Sequence, residues 1–226
     1  VILPTGVDYR QLRGAPGCWD DPDNSACNYV GRGVYYGASV SDASECAGED
    51  VYIVGGANSA GQAAMFMSKT AKSVTLLVRG PSLEASMSYY LIQQIEKNPT
   101  IKVRTCTEVV DTLGEDDHLT GLVLQDRQTG DRETVHCSRM CCFIGAEPRT
   151  DWLDVVAKDD HGFILSGPDL KDVAGWTLDR PPHHLETSVP GVFVAGDVRA
   201  ESAKRVAAAV GEGSMAVMLV HRYLAE

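Results

Sequence analysis

The chain has 226 residues, 44% of them hydrophobic and 23% charged, which is ordinary globular composition and enough length for two modest domains with a proper core. Its formal net charge of −11 argues against a nucleic acid or an anionic membrane as partner, because both repel such a surface and no basic patch is segregated along the sequence. No apolar run approaches the ~20 residues of a membrane helix, and no basic stretch followed by an apolar core opens the chain, so a cytoplasmic protein is expected.

Residues 1 to 3 read as a buried strand that ends in the turn Pro4-Thr5-Gly6. Residues 13 to 33 carry Gly14, Pro16, Gly17, Pro22, Gly31 and Gly33 among short polar stretches, the composition of a loop and of a domain crossing. After Val34-Tyr35-Tyr36, a polar segment over residues 39 to 50 allows a short helix capped by Asp42 and ending at Gly48.

Residues 51 to 64, VYIVGGANSAGQAA, read as strand, tight turn and helix. That is the local geometry of a dinucleotide-phosphate site, where glycines admit a pyrophosphate and a helix N-terminus offers free N–H groups to its charge. The pattern G-x-G-x-x-A is met at Gly55 and Ala60, with Ala57 in place of the middle glycine. The competing reading is a strand-to-helix turn without a ligand. Met65, Phe66 and Met67 continue the helix as core packing, and residues 73 to 79 form a second strand, completing a parallel βαβ unit. That strand ends in Val78-Arg79-Gly80, without the carboxylate that would accept ribose hydroxyls, so NADPH is favoured over NADH; the alternative is that Arg79 is a solvated strand-end cation.

A helical stretch runs from Ser82 to Asn98-Pro99, and strand patterns resume over residues 101 to 111. Residues 119 to 125 and 133 to 137 flank the turn-rich Gln128-Thr129-Gly130-Asp131 and predict an antiparallel hairpin or meander beside the parallel strands. Residues 140 to 145 are another buried strand, and Glu147-Pro148-Arg149 a second crossing. A short helix is expected to begin at Thr150 with Trp152 as its apolar anchor, followed by a loop-rich region with one strand near residues 162 to 165. His183 and His184 read as solvated histidines beside Pro181-Pro182. Residues 191 to 197, GVFVAGD, form a strand ending in glycine and a carboxylate, and a long helix over about residues 202 to 224 closes the chain.

Seven cysteines, at positions 18, 27, 46, 106, 137, 141 and 142, include no C-x-x-C pair and no zinc-ligand spacing. They read as reduced thiols, with Cys137, Cys141 and Cys142 buried and unreactive in strand-like sequence. The fold class is α/β: a Rossmann-like three-layer nucleotide-binding domain with an antiparallel β-meander, joined to an incomplete second domain.

Several motifs in order resemble the thioredoxin reductase-like branch of the FAD/NAD(P)H pyridine nucleotide-disulfide oxidoreductases. Thr5-Gly6 is similar to the family's turn out of the flavin domain, the Gly55 turn to its nicotinamide-nucleotide motif, Phe143-Ile144-Gly145 with Pro148 to its return crossing, and residues 191 to 197 with the helix over 204 to 216 to its second flavin motif. The resemblance implies residues 1 to 14 as the end of a first FAD-domain segment, 15 to 147 as the NAD(P)H domain and 148 to 226 as the C-terminal FAD-domain segment. It implies FAD and NADPH as cofactors that carry the redox chemistry, with hydride passing onward to a small-molecule or protein electron acceptor that the sequence leaves unassigned. The implied nicotinamide-nucleotide contacts are Gly55, Gly56, Ala57, Asn58, Ser59, Ala60, Arg79 and Gly145. The implied flavin contacts are Thr5, Gly6, Gly196, Asp197, Lys204, Arg205 and Val206, with Lys204-Arg205 beside the flavin pyrimidine end or, equally, two solvated helix-start charges. No side chain is assigned as acid, base or nucleophile, and a homodimer is compatible with the family.

The departures matter as much. The family's C-x-x-C pair corresponds here to Gly37-Ala38-Ser39-Val40, and without a dithiol the usual disulfide exchange cannot run. The family's arginine pattern at the 2′-phosphate is met only by Arg79, with Val78, Gly80 and Glu84 at the other places. The first glycine-rich βαβ unit of the flavin domain has no counterpart, so the chain reads as a fragment of a flavoprotein oxidoreductase. The alternative is a non-catalytic NAD(P)-binding or interaction module on the same fold. A third reading, a thioredoxin reductase proper, needs Cys141-Cys142 as its redox pair.

Overall fold

In the computed structural model of the chain, residues 1–12, 29–37, 46–171 and 176–226 are described. They fall into two units, Val1–Arg10 with Gly145–Glu226, and Gln11–Ile144. The expected capped helix at Asp42, the thiols Cys18 and Cys27, and residues 38 to 40 lie outside the described residues.

The chain opens in the first unit with β1 (Ile2–Leu3) and β2 (Val7–Tyr9) and then enters the second. There β3 (Val34–Tyr36), β4 (Asp50–Val54), β5 (Ser73–Leu77), β6 (Ile101–Arg104) and β10 (Arg139–Cys142) make a five-stranded sheet in the order β3-β10-β4-β5-β6. Every pairing in it is parallel. The crossover from β4 to β5 is helix α1 (Asn58–Met67), and that from β5 to β6 carries α2 (Tyr89–Glu96). Helices this short are marginal alone and hold through their buried faces.

Alternation along the strands makes the layers. Val51, Ile53, Val74, Leu76 and Cys141 bury one face of the sheet with Ala60, Ala63, Ala64 and Met67 of α1 and Leu91, Ile92 and Ile95 of α2. Val54, Leu77, Met140 and Cys142, one residue out of step, face the other way into Val109, Leu119, Leu122 and Leu124. These last belong to an antiparallel meander of β7 (Thr107–Glu115), β8 (His118–Asp126) and β9 (Arg132–His136). The Rossmann-like three-layer domain with its meander is therefore borne out.

The helix expected from Ser82 is confined to α2. Over residues 82 to 88 the backbone turns, Leu83 and Met87 enter the core, and Ser86 and Ser88 bond to the glycine turn: Ser86 Oγ donates to Gly56 O at 2.8 Å and Ser88 N to Asn58 Oδ1 at 2.8 Å. The strand expected over 101 to 111 breaks at Cys106, whose φ of +50° redirects the chain. Its N–H bonds to Gly80 O at 2.9 Å.

In the first unit β1 pairs in parallel with β12 (Phe193–Val194), and β2 pairs antiparallel with β11 (Ala146–Pro148). Arg149 clasps Asp8 with two hydrogen bonds, Nε to Oδ2 at 2.8 Å and Nη2 to Oδ1 at 2.5 Å, across this second pair. A core of Leu3, Leu153, Val156, Ile164, Val194 and Val198 sits beside a second one of Leu185, Phe193, Ala195, Ala216 and Leu219. The last two come from α3 (Val206–Leu224).

Three expectations here need correction. No helix forms at Thr150, and the anchor is Leu153, at 8% exposure, while Trp152 is 62% exposed and donates its indole N–H to Arg149 O at 3.2 Å. His183 is not solvated, because its Nε2 lies 3.1 Å from Glu226 Oε1 and its ring stacks on Phe193. The strand expected near residues 162 to 165 is reduced to single bridges from Ile164 to Lys158 and Arg199. Among the described residues no helix is long and apolar enough to cross a membrane.

Candidate functional site

The carboxyl end of β4 lies where the sheet order changes direction, with β5 on one side and β10 on the other. In open parallel sheets this crevice is where nucleotides bind. The chain leaves β4 through Gly55, whose φ is +144° and whose N–H bonds to Leu77 O at 3.0 Å. A Cβ at Gly55 would stand 2.4 Å from the carbonyl oxygen of Phe143, the residue that follows β10. At Gly56 it would stand 2.9 Å from Val78 Cγ1. Two adjacent positions thus require the absence of a side chain, and the backbone lies bare at the mouth of the crevice.

Ala57 precedes α1 as its N-cap in extended geometry, with no side-chain cap and no acidic residue in the first turn. The first N–H groups of the helix face the crevice end with partial positive charge. Ala57, Asn58 and Ser59 are not buried, whereas Ala60 is fully buried and lets α1 sit close on the sheet. The Asn58 side chain is engaged with Ser88 N.

Val54 is opposite Leu77 in the register, which sets Arg79 at the same sheet edge as the glycine turn. Its side chain is exposed. Arg127, just beyond β8, donates from Nη1 to the Arg79 carbonyl at 3.2 Å and pairs through Nε with Glu108 Oε2 at 3.3 Å. The sequence reading missed this second cation, and no local pattern signals it, since the two arginines are 48 residues apart.

The remaining residues assigned from the sequence are in the other unit. Because β1 and β12 are parallel neighbours, Thr5-Gly6 and Gly196-Asp197 leave the same end of that pair. Thr5 Oγ1 is buried without a hydrogen-bond partner among the described residues. Gly196 donates its N–H to Glu212 Oε2 at 2.7 Å, and Arg199 holds the other oxygen of Glu212 at 2.6 Å through Nη2. Burial alone raises the Glu212 carboxyl, yet the Arg199 and Gly196 hydrogen bonds outweigh it and leave the group below the usual carboxylate range. Sequence reasoning passed over this Arg199–Glu212 clamp. Gly145 has a φ of +99° and its carbonyl accepts the Arg10 N–H at 3.0 Å. Lys204, itself left-handed at +48°, lays its ammonium over the Phe163 ring at 4.1 Å. Arg205 is the N-cap of α3, and Val206 at its first position is 83% exposed.

The thiols give a testable contrast. Cys46, Cys137 and Cys141 are fully buried and Cys142 is 2% exposed, and burial pushes the Cys137 thiol up to about 12. Cys141 belongs to the helix-side core and Cys142 to the meander-side core, so the two side chains point to opposite faces of β10. That opposes a redox pair. In the native protein at pH 8, Ellman's reagent should leave these four cysteines unmodified and reach them only after denaturation. Rapid native labelling of Cys137 would show that its burial is wrong. Among the described residues no cluster of His, Cys, Asp and Glu is placed to hold a metal ion.

A five-stranded parallel sheet with helical crossovers and a bare glycine turn at its switch point defines a Rossmann-like α/β protein. A sequence model of the family "Pyridine nucleotide-disulphide oxidoreductase" matches residues 1–213, and the chain belongs to that family. It is similar to the thioredoxin reductase of Treponema pallidum, at 30% identity over 224 residues covering 99% of this chain and 64% of that protein. It is also similar to the thioredoxin reductase of Streptomyces clavuligerus, at 31% identity over 227 residues covering 100% of this chain and 62% of that protein. Among solved structures, the thioredoxin reductase of T. acidophilum matches with a TM-score of 0.72 and 27% identity, over 100% of this chain and 66% of that one. The chain thus spans less than two thirds of the length of both sequence relatives.

Proposed function

We propose that the chain carries the nicotinamide-nucleotide site and part of the flavin site of a thioredoxin reductase-like flavoprotein oxidoreductase. When bound, NADPH and FAD supply hydride transfer from the one to the other and onward to a small-molecule or protein electron acceptor. The observation that carries the reading is the glycine turn at the carboxyl end of β4, where Gly55 and Gly56 have no room for a side chain and lead directly into the uncapped start of α1.

Gly55, Gly56 and Ala57 would admit the pyrophosphate to the backbone, and the N–H groups of Asn58, Ser59 and Ala60 at the start of α1 would face its charge. Arg79 would meet the adenosine ribose and its 2′-phosphate. On the flavin side, the orphaned Thr5 Oγ1 is the kind of buried polar atom that a ligand satisfies, and it supports a flavin contact at the ends of β1 and β12. Asp197 would hold the ribityl chain there, with the Gly196 backbone fixed by Glu212. The segment that would carry a dithiol is Gly37-Ala38-Ser39-Val40, so reduction of a protein disulfide through that route is not part of the proposal. The five cysteines among the described residues are thiols, which fits a reducing compartment such as the cytoplasm.

The full-length protein should be yellow, and NADPH added without oxygen should bleach its flavin absorbance. A complete protein that binds NADPH tightly but is colourless would instead be a non-catalytic nucleotide-binding module. One that binds neither would sink both readings.

A further inference from the structure

We propose that Arg127 is a specificity-determining residue that meets the 2′-phosphate together with Arg79 and makes the site select NADPH over NADH. The inference rests on the reading of the glycine turn as a nicotinamide-nucleotide site. In such sites the residue at the end of the second strand meets the adenosine ribose, and an anionic 2′-phosphate there calls for guanidinium groups. Along the sequence only Arg79 is available, with Val78 and Gly80 on either side. The fold supplies the second cation from the meander.

Three observations place it. The Arg127 N–H bonds to Cys106 O at 2.7 Å while Cys106 N bonds to Gly80 O at 2.9 Å, which ties the backbone of residue 127 to the end of β5 through one intermediate residue. The turn that follows is locked by Asp126, whose Oδ1 accepts Gln128 N at 2.7 Å and Thr129 N at 3.1 Å, so the arginine leaves a fixed backbone. The guanidinium then reaches the Arg79 carbonyl with Nη1 and Glu108 with Nε, and Nη2 makes no hydrogen bond or ion pair among the described residues. Its side chain remains 49% exposed.

Charge favours an anion at this point. Glu108 offsets one of the two guanidinium charges, and a half-exposed pair of this kind is weak enough for a phosphate dianion to compete with. A 2′-phosphate held by both arginines gains charge-assisted hydrogen bonds, which the neutral hydroxyl of NADH cannot match.

The test is calorimetric titration of the full chain with NADPH, NADH and 2′,5′-ADP, for wild type, Arg127→Gln and Arg127→Lys. Arg127→Gln should weaken NADPH and 2′,5′-ADP about tenfold and leave NADH within about twofold, with Arg127→Lys in between. The NADPH affinity of wild type should also fall more steeply with salt than that of Arg127→Gln. Equal losses for NADPH and NADH would make Arg127 a structural clamp and overturn the proposal, as would no loss for either. A wild-type chain that binds none of the three probes would remove the nucleotide-site reading and this proposal with it.

Discussion

Gly55→Val is expected to abolish NADPH binding and to destabilise the parallel-sheet unit by about 2–5 kcal/mol, the sum of overpacking and backbone strain. The position is closed from two directions. Its φ of +144° is one that a β-branched residue scarcely adopts, and its Cβ would lie 2.4 Å from Phe143 O, 3.1 Å from Phe143 C and 3.2 Å from Ala60 Cβ. None of these can yield cheaply. Phe143 is fixed by its N–H bond to Val54 O at 2.7 Å, and Ala60 is buried in the first turn of α1. Moving the turn instead would break the 3.0 Å bond from Gly55 N to Leu77 O and tilt the helix start. Against a total stability of roughly 5–15 kcal/mol, such a loss is large. Gly56→Ala offers the internal comparison, since its Cβ would meet a side-chain methyl of Val78 at 2.9 Å and its φ is not left-handed. It should cost about 1–2 kcal/mol while weakening the nucleotide. Urea denaturation followed by circular dichroism, with calorimetry on the folded variants, measures both effects. A Gly55→Val protein as stable as wild type and equally avid for NADPH would show that the turn is neither strained nor a cradle.

The contrast between these glycines and Arg127 explains what the sequence could reveal. The strand, glycine turn and helix over residues 51 to 64 are set by neighbours in the chain, and β-branched residues, small residues and an apolar period of helical type announce them. The two-faced alternation of Ile53 against Val54, and of Leu76 against Leu77, is equally local, and with it came the three layers. Contacts that depend on tertiary placement were not legible. Residues 82 to 88 carry a helical pattern but serve as a strap, because Ser86 and Ser88 find partners on the glycine turn 30 residues earlier. Trp152 looked like a core anchor from its chemistry, yet Leu153 one place on takes the interior. His183 beside two prolines looked solvated until Glu226 and Phe193 enclosed it. The Arg199–Glu212 clamp likewise joins a strand-end loop to a helix, at a separation with no recognised signature.

Glu186→Ala is expected to destabilise the first unit by about 2–4 kcal/mol, because it strands the buried N–H groups of His183 and Gly191 and removes one of the two carboxylates that pair with Arg180, the other being Glu226. Glu186 is fully buried and its carboxylate accepts from four N–H groups: Arg180 Nη1 at 2.7 Å and Nη2 at 3.2 Å, His183 N at 2.9 Å and Gly191 N at 2.9 Å. Gly191 O in turn accepts the Val1 N–H at 3.0 Å, so the carboxylate organises the entry to both β12 and β1, whose far ends carry Gly196-Asp197 and Thr5-Gly6. Burial by itself raises the Glu186 carboxyl, but the Arg180 hydrogen bond and the two N–H groups outweigh it and hold the group below its ordinary value. A carboxyl depressed in the folded state contributes stability that is fully present above its unfolded pKa of about 4.3 and is lost as pH falls through the lower folded value. The gap in unfolding free energy between wild type and Glu186→Gln should therefore be constant from pH 7 down to about 5 and close below about pH 4. Glutamine keeps the shape and one acceptor oxygen, so it separates the charge from the packing that alanine also removes. Urea midpoints across pH 3 to 7 decide the matter: a gap that widens on acidification would mean that the buried carboxyl is held protonated, and an alanine variant within about 1 kcal/mol of wild type would mean that the site rearranges to water.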